Sequence, residues 1–117
     1  MDINKNTLLG SKSLPEFAKI QSRDMYQAIS YLIKENKKII KDIENLKKVS
    51  WKNFIYKIEE SDDKIAKVWA PIRHLNSVVN NPQIRKQYEK SLNLLTAHYG
   101  KVGQNKKLFS QYETFYN

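Results

Sequence analysis

Trp69-Ala70-Pro71-Ile72-Arg73-His74-Leu75-Asn76-Ser77-Val78-Val79-Asn80-Asn81-Pro82 stands near the middle of the chain and decides how the rest is read. Upstream and through it, Phe54, Ile58, Ser61, Ile65, Val68, Ile72, Leu75 and Val79 recur at alternating four- and three-residue steps, which places them on one helical face. Pro71 falls inside that register, where it removes a backbone donor and crowds the preceding turn, at a cost of roughly 3 kcal/mol. The spacing therefore predicts a helix kinked near residues 67 to 71. At the far end, Asn81 can accept from the free amides of a new helix, and Pro82 at its first position gives up no needed donor. The stretch is expected to form the corner between two antiparallel helices.

Working back from that corner, Ser50 reads as the cap of the same helix, with Trp51, Phe54 and Ile55 entering its apolar face; Trp51 and Trp69 are both expected in the core. Before it, Met25, Ile29, Leu32, Asn36, Ile39, Ile43 and Leu46 repeat at the same spacing, widened by Tyr26, Ile33 and Ile40. That is the clearest helix, over about residues 23 to 48, with Ser22 as its cap and Asp24 suiting its positive end. Lys34, Lys37, Lys38 and Lys41 keep its outer face wet, and Lys47 and Lys48 suit its negative end. Leu14-Pro15-Glu16-Phe17 through Ile20 reads as an extended or turned segment, because proline biases Leu14 away from helix. Residues 1–13 read as a loose arm.

Working forward, a third helix is predicted from Pro82 to about Tyr99, with Ile84, Tyr88, Leu92, Leu95 and Tyr99 on one side. Gly100 and Gly103 mark a break. A shorter fourth helix follows, with Leu108, Phe109, Tyr112, Phe115 and Tyr116 crowded toward its end. Four of those five are aromatic, and little sequence follows to cover them. They either fold back on the earlier helices or meet a partner, self-association through Phe109, Tyr112, Phe115 and Tyr116 included. The fold class is all-α: an antiparallel bundle of about four helices, the second kinked at Pro71. The domain reading is an arm over 1–13 and a helical domain over 14–117.

Composition narrows the function classes. With 40% apolar residues and only three Gly and three Pro, the chain favours helices over a turn-rich β architecture, around one modest core. The absence of cysteine excludes disulfides, thiolate nucleophiles and Cys-ligated zinc. No apolar leader opens the chain and no run of eighteen apolar residues occurs, so a cytoplasmic protein without a membrane span is expected. The net charge of +9 comes almost entirely from lysine, with only three arginines. Nucleic-acid sites lean on arginine for bidentate contacts, so a nucleic-acid partner is not the expectation. Abundant Lys, Ile and Asn together are what AT-rich coding DNA produces; a gene of ordinary base composition would remove that explanation.

Each candidate for chemistry has a plainer reading beside it. Glu59, Glu60, Asp62 and Asp63 form an acidic cluster, but a helix spreads them over more than half its circumference and no calcium-loop glycine accompanies them. A solvated face pairing with Lys64 or Lys67 is the better reading. Gly100-Lys101-Val102-Gly103 matches the GxxG of nucleic-acid-clamping KH domains, which also need strands; a helix stop and turn is preferred. His74 lies beside the apolar stripe, where a hydrogen bond tying the proline region to a neighbouring helix is preferred over a metal ligand. His98 reads as a flank residue of the third helix. Asn36 occupies a stripe position, where it either fixes register as a buried polar group or sits at the wetter edge. P-loops, nucleophile elbows and dinucleotide fingerprints fail for want of glycines. No catalytic, cofactor-binding or metal-ligating residue is assigned.

Pro71-Ile72-Arg73-His74-Leu75-Asn76-Ser77-Val78, then Asn81-Pro82-Gln83-Ile84-Arg85 and Tyr88-Glu89, resembles the N-terminal region of the thimet-oligopeptidase family of zinc metallopeptidases. Leu14-Pro15, Phe17, Ile20, Ala28, Ser50-Trp51, Asn53 and Val102-Gly103-Gln104 extend the resemblance in order over about residues 14 to 116. It implies a helical part of a channel wall that limits entry to short peptides. In that family zinc is held by His-Glu-x-x-His, whose two imidazoles share a helix face while the intervening Glu activates water. The 117 residues contain no such motif, and their two histidines stand twenty-four positions apart. The resemblance therefore implies no cofactor in this chain, no activity of the chain alone, and a catalytic domain supplied by other sequence as its partner. The alternative is a free-standing basic helical module that binds a protein or nucleic acid, the latter revealed by binding that falls steeply with salt.

Overall fold

A computed structural model describes residues 22–79 and 81–117, the side chains of Ser22 and Arg23 excepted. The arm, the Leu14–Ile20 segment and the capping side chain of Ser22 lie outside the described residues. Among the described residues four α-helices follow in order: α1 (Ser22–Glu44), α2 (Tyr56–Val78), α3 (Pro82–Gly103) and α4 (Lys106–Tyr116). No strand occurs among the described residues, so the fold is all-α. α1 is the central element, packing more extensively on α2 and on α3 than those two pack on each other.

α1 ends at Glu44, short of the expected residue 48, and the reason lies in its capping. The Asn45 side chain turns back to donate to the Lys41 carbonyl at 3.0 Å. Gln111, from α4, donates its side-chain amide to the carbonyls of Ile43 (2.8 Å) and Leu46 (2.9 Å), satisfying acceptors that a helix end leaves open. Lys41 is thus the basic residue of the last turn, while Lys47 and Lys48 fall beyond the helix.

Ser50 caps the next helix as its sequence promised, in a reciprocal box with Asn53. The Ser50 hydroxyl accepts from the Asn53 amide, and the Asn53 side chain accepts from the Ser50 amide at 2.7 Å. The first turn, Trp51–Ile55, is wound as a π-helix, which the periodicity did not announce. It turns Trp51 outward, 54% exposed, against the expectation of a core tryptophan, while Phe54 is fully buried. α2 then continues through a buried Pro71 to Val78, with Ile58, Ser61, Ile65, Val68, Ile72 and Leu75 on its buried face. Trp69 is half-buried and stacks on Tyr88 of α3, ring centroids 5.1 Å apart.

Asn81 caps α3, accepting from the amides of Gln83 (2.8 Å) and Ile84 (3.2 Å), and Pro82 opens the helix. Gly100 does not interrupt α3, which runs on through Gly103; neither glycine has positive φ, and a Cβ on either would meet nothing within 4 Å. The break comes at Gln104 and Asn105, where Asn105 accepts from the Leu108 amide and starts α4. The buried face of α3 also differs from the one expected. Ser91, Leu95 and His98 point inward, while Leu92 and Tyr99 stand at the surface edge.

The core forms two clusters. One gathers Met25, Ala28, Ile29, Leu32, Ile33, Ile65, Val68, Ile72, Leu75 and Leu95. The other gathers Ile40, Ile43, Phe54, Ile55, Ile58 and Leu108, with Val102, Tyr112 and Phe115 packed against it. Two of the four terminal aromatics therefore fold back: Tyr112 and Phe115 lie 4.6 Å and 6.0 Å from the Phe54 ring. Phe109 and Tyr116 remain 64% and 72% exposed.

Candidate functional site

Between the two clusters each of the three long helices places a polar residue on its buried stripe. Asn36 follows Ile33 and precedes Ile40, Ser61 lies between Ile58 and Ile65, and His98 lies between Leu95 and Val102. All three are buried. Helical periodicity brings them to one level, and they bond there. The Asn36 amide nitrogen donates to Ser61 Oγ at 2.8 Å and to Asp62 Oδ1 at 3.1 Å. Its oxygen faces His98 Nε2 at 2.7 Å, which requires the ring hydrogen on Nε2. Asp62 Oδ1 also accepts from the Tyr99 hydroxyl at 2.8 Å.

The layer favours the uncharged forms of its imidazole and phenol groups. Burial, then the nearby Lys37 ammonium and more weakly that of Lys101, lowers the His98 pKa below 6.5, with Asp62 opposing. Burial pushes the Tyr99 phenol well above its ordinary value, and the hydrogen bond to Asp62 and that carboxylate's charge add to the shift. Tyr112 is raised in the same direction, by burial first and then by the charge of Asp62.

A cleft of about 260 Å³ opens at this layer. Ile40, Ile58, Val102 and Leu108 give it apolar walls, Tyr99, Phe109 and Tyr112 aromatic ones, and Asn36, Asp62 and Asn105 its polar groups. Asp62 is the one carboxylate in the lining. A neutral imidazole, a protonated phenol and a carboxylate held by two donors suit recognition. They supply no activated nucleophile.

The acidic cluster resolves into two parts. Glu60 pairs with Lys64 at 3.9 Å and Asp63 with Lys67 at 2.8 Å, both at the surface, as the solvated-face reading expected. Such exposed pairs are screened by solvent and contribute little to stability. Asp62, one residue away, instead turns into the layer. His74 is exposed, and its carbonyl accepts from the Ser77 hydroxyl. His98 is the correction: it is a buried member of the layer and not a flank residue. Asn36 takes the first of its two readings, buried between helices. Gly100–Gly103 lies in the helical end of α3. The Asp62–Tyr99 bond and the reach of Gln111 to α1 had no signal in the sequence, because each joins residues far apart in the chain through side chains that periodicity places only approximately.

The family model of the neurolysin/thimet oligopeptidase N-terminal domain matches residues 29–117, from the middle of α1 through α4. The chain belongs to that family. It is 34% identical over 107 residues to the oligopeptidase A of Haemophilus influenzae and 32% identical over 114 residues to that of Escherichia coli. Each alignment covers 92% of this chain and 16% of the relative. A probable cytosolic oligopeptidase A of Arabidopsis thaliana is 22% identical over 111 residues, with 95% of this chain and again 16% of the relative covered. The chain thus spans about a sixth of the length of these oligopeptidases. No solved structure matches. The residues of this domain do not fit the zinc of the family: among the described residues no three His, Cys, Asp or Glu side chains stand together as metal ligands, and His98 Nε2 is engaged with Asn36. No helix among them is long and apolar enough to cross a membrane.

Proposed function

We propose that this chain serves as the N-terminal helical portion of a peptide-degrading oligopeptidase, forming part of the wall that limits substrate access, with zinc catalysis supplied by other sequence. The family match over residues 29–117 carries this reading. The lack of a His-Glu-x-x-His motif in the 117 residues supports the division of labour. Short peptides are then the substrates of the whole enzyme, the catalytic domain is the partner of this one, and the cytoplasm is its place. Within the chain, residues 14–117 act as the domain and 1–13 as its arm.

Two measurements test the reading. Antibody capture of the native gene product from its own cells, followed by intact-mass determination, is expected to return a species several times heavier than 13.8 kDa. A native species at 13.8 kDa would sink the proposal. The purified 117-residue chain, supplied with zinc, is expected to leave oligopeptides intact; chelator-sensitive cleavage by this chain alone would contradict it.

A further inference from the structure

We propose that the cleft at Asp62 is a socket for a single arginine side chain, presented by polypeptide that packs over the cleft. The occupant rests on the reading that more of an oligopeptidase surrounds this domain; the chemistry of the socket rests on the cleft itself. Pockets for drug-sized ligands occupy roughly 300–1,000 Å³, and a cleft of about 260 Å³ falls below that range, suiting one side chain. Its walls are apolar and aromatic, which matches an alkyl stem ending in a delocalised cation: Tyr99, Phe109 and Tyr112 line it, and Asp62 offers charge.

Asp62 is held ready for such a ligand. Oδ1 already accepts from Asn36 and Tyr99, which fixes the carboxylate, while Oδ2 takes no hydrogen bond among the described residues. Its neighbours Glu60 and Asp63 are each paired with a lysine, yet in a chain of net charge +9 no cation among the described residues comes within 4.0 Å of Asp62. Lys37 and Lys101 act on His98 from nearby, so the local field is mixed. A carboxylate beside aromatic walls favours a planar guanidinium, which can bond Oδ2 and stack on a ring together, over a compact ammonium.

The test is a titration of the isotopically labelled 117-residue chain with n-butylguanidinium, followed by nuclear magnetic resonance. Shifts are expected to centre on the Asn36 side-chain amide, Gly103 and Asn105, with a dissociation constant on the order of 1–10 mM. The anion n-butanesulfonate should leave those signals still. Asp62→Asn should weaken binding at least about tenfold, and Phe109→Ala, at an exposed rim position, about threefold. Shifts absent from the cleft, or scattered over Glu59, Glu60 and Asp63 and indifferent to Asp62→Asn, overturn the socket whatever the native mass proves to be. A native species at 13.8 kDa overturns the proposed occupant, and does so without reference to the titration.

Discussion

Ser91 holds a fully buried hydroxyl with no hydrogen-bond partner among the described residues. Desolvating such a group without compensation costs about 1–3 kcal/mol, so Ser91→Ala is expected to stabilise the chain, by about 1 kcal/mol once the lost contacts of the oxygen are allowed for. Urea unfolding checks it, and a loss of stability would show that the hydroxyl has a partner. Asn36 is the opposite case. Its amide serves Ser61, Asp62 and His98 at once, and Asn36→Ala strands two buried polar groups, for an expected loss of about 2–4 kcal/mol. His98 adds a pH dependence whose sign is fixed. Its pKa is lower in the folded chain than the ordinary 6.5, so below 6.5 the unfolded chain binds more protons. Stability from the neutral ring is fully present above pH 6.5 and is lost as pH falls through the folded value. Urea unfolding from pH 8 to pH 5 should show a decline that His98→Gln flattens; equal slopes in both chains would deny the assignment.

At the scale of the helix, the parts legible in the sequence are those set by local chemistry. Ser50 with Asn53, and Asn81 with Pro82, announce two helix starts because a cap is a short-range bargain between one side chain and the next few amides. The stripe from Phe54 to Leu75 is legible for a similar reason, since six regular steps leave little choice of face. The stripe of α3 is not, because its polar members Ser91 and His98 are inward-facing while Leu92 and Tyr99 look like better core residues. Asn36 across the layer satisfies the inward His98, and a linear reading cannot see it arrive; the Ser91 hydroxyl has no such signal and no partner among the described residues. The end of α1 is not legible for the same kind of reason: Gln111 closes it from 65 and 68 residues away. Gly100 looked like a stop, yet it lies in open helix interior. Gly100→Ala should therefore stabilise by about 0.5–1 kcal/mol, through the unfolded chain's lost freedom. A drop in melting temperature on that substitution would mean the glycine is required by something packed on α3.

The molecule as a whole is an elongated body of 49 × 26 × 24 Å, and its two apolar clusters lie on either side of a polar layer. That division has consequences for how stability is shared. The cluster of Met25, Ile29 and Ile72 draws on the three long helices alone, whereas the cluster around Phe54 also depends on α4 through Leu108, Tyr112 and Phe115. α4 is only eleven residues long, too short to hold its helix in water without such packing. Phe54→Ala removes the ring on which two of its aromatics rest, at a cost of about 3–5 kcal/mol. If the layer separates cooperative units, hydrogen exchange in that variant should accelerate across residues 106–116 while Ile29, Ile33 and Ile72 keep most of their protection. If protection falls equally everywhere, the layer joins the clusters into one unit and Asn36 is the tie between them. The first outcome is expected, because the layer's hydrogen bonds link α1, α2 and α3 but include no residue of α4. The end of the domain nearest the Asp62 cleft would then be the part whose order a packed neighbour most readily increases, since binding to the folded form alone deepens its stability by mass action.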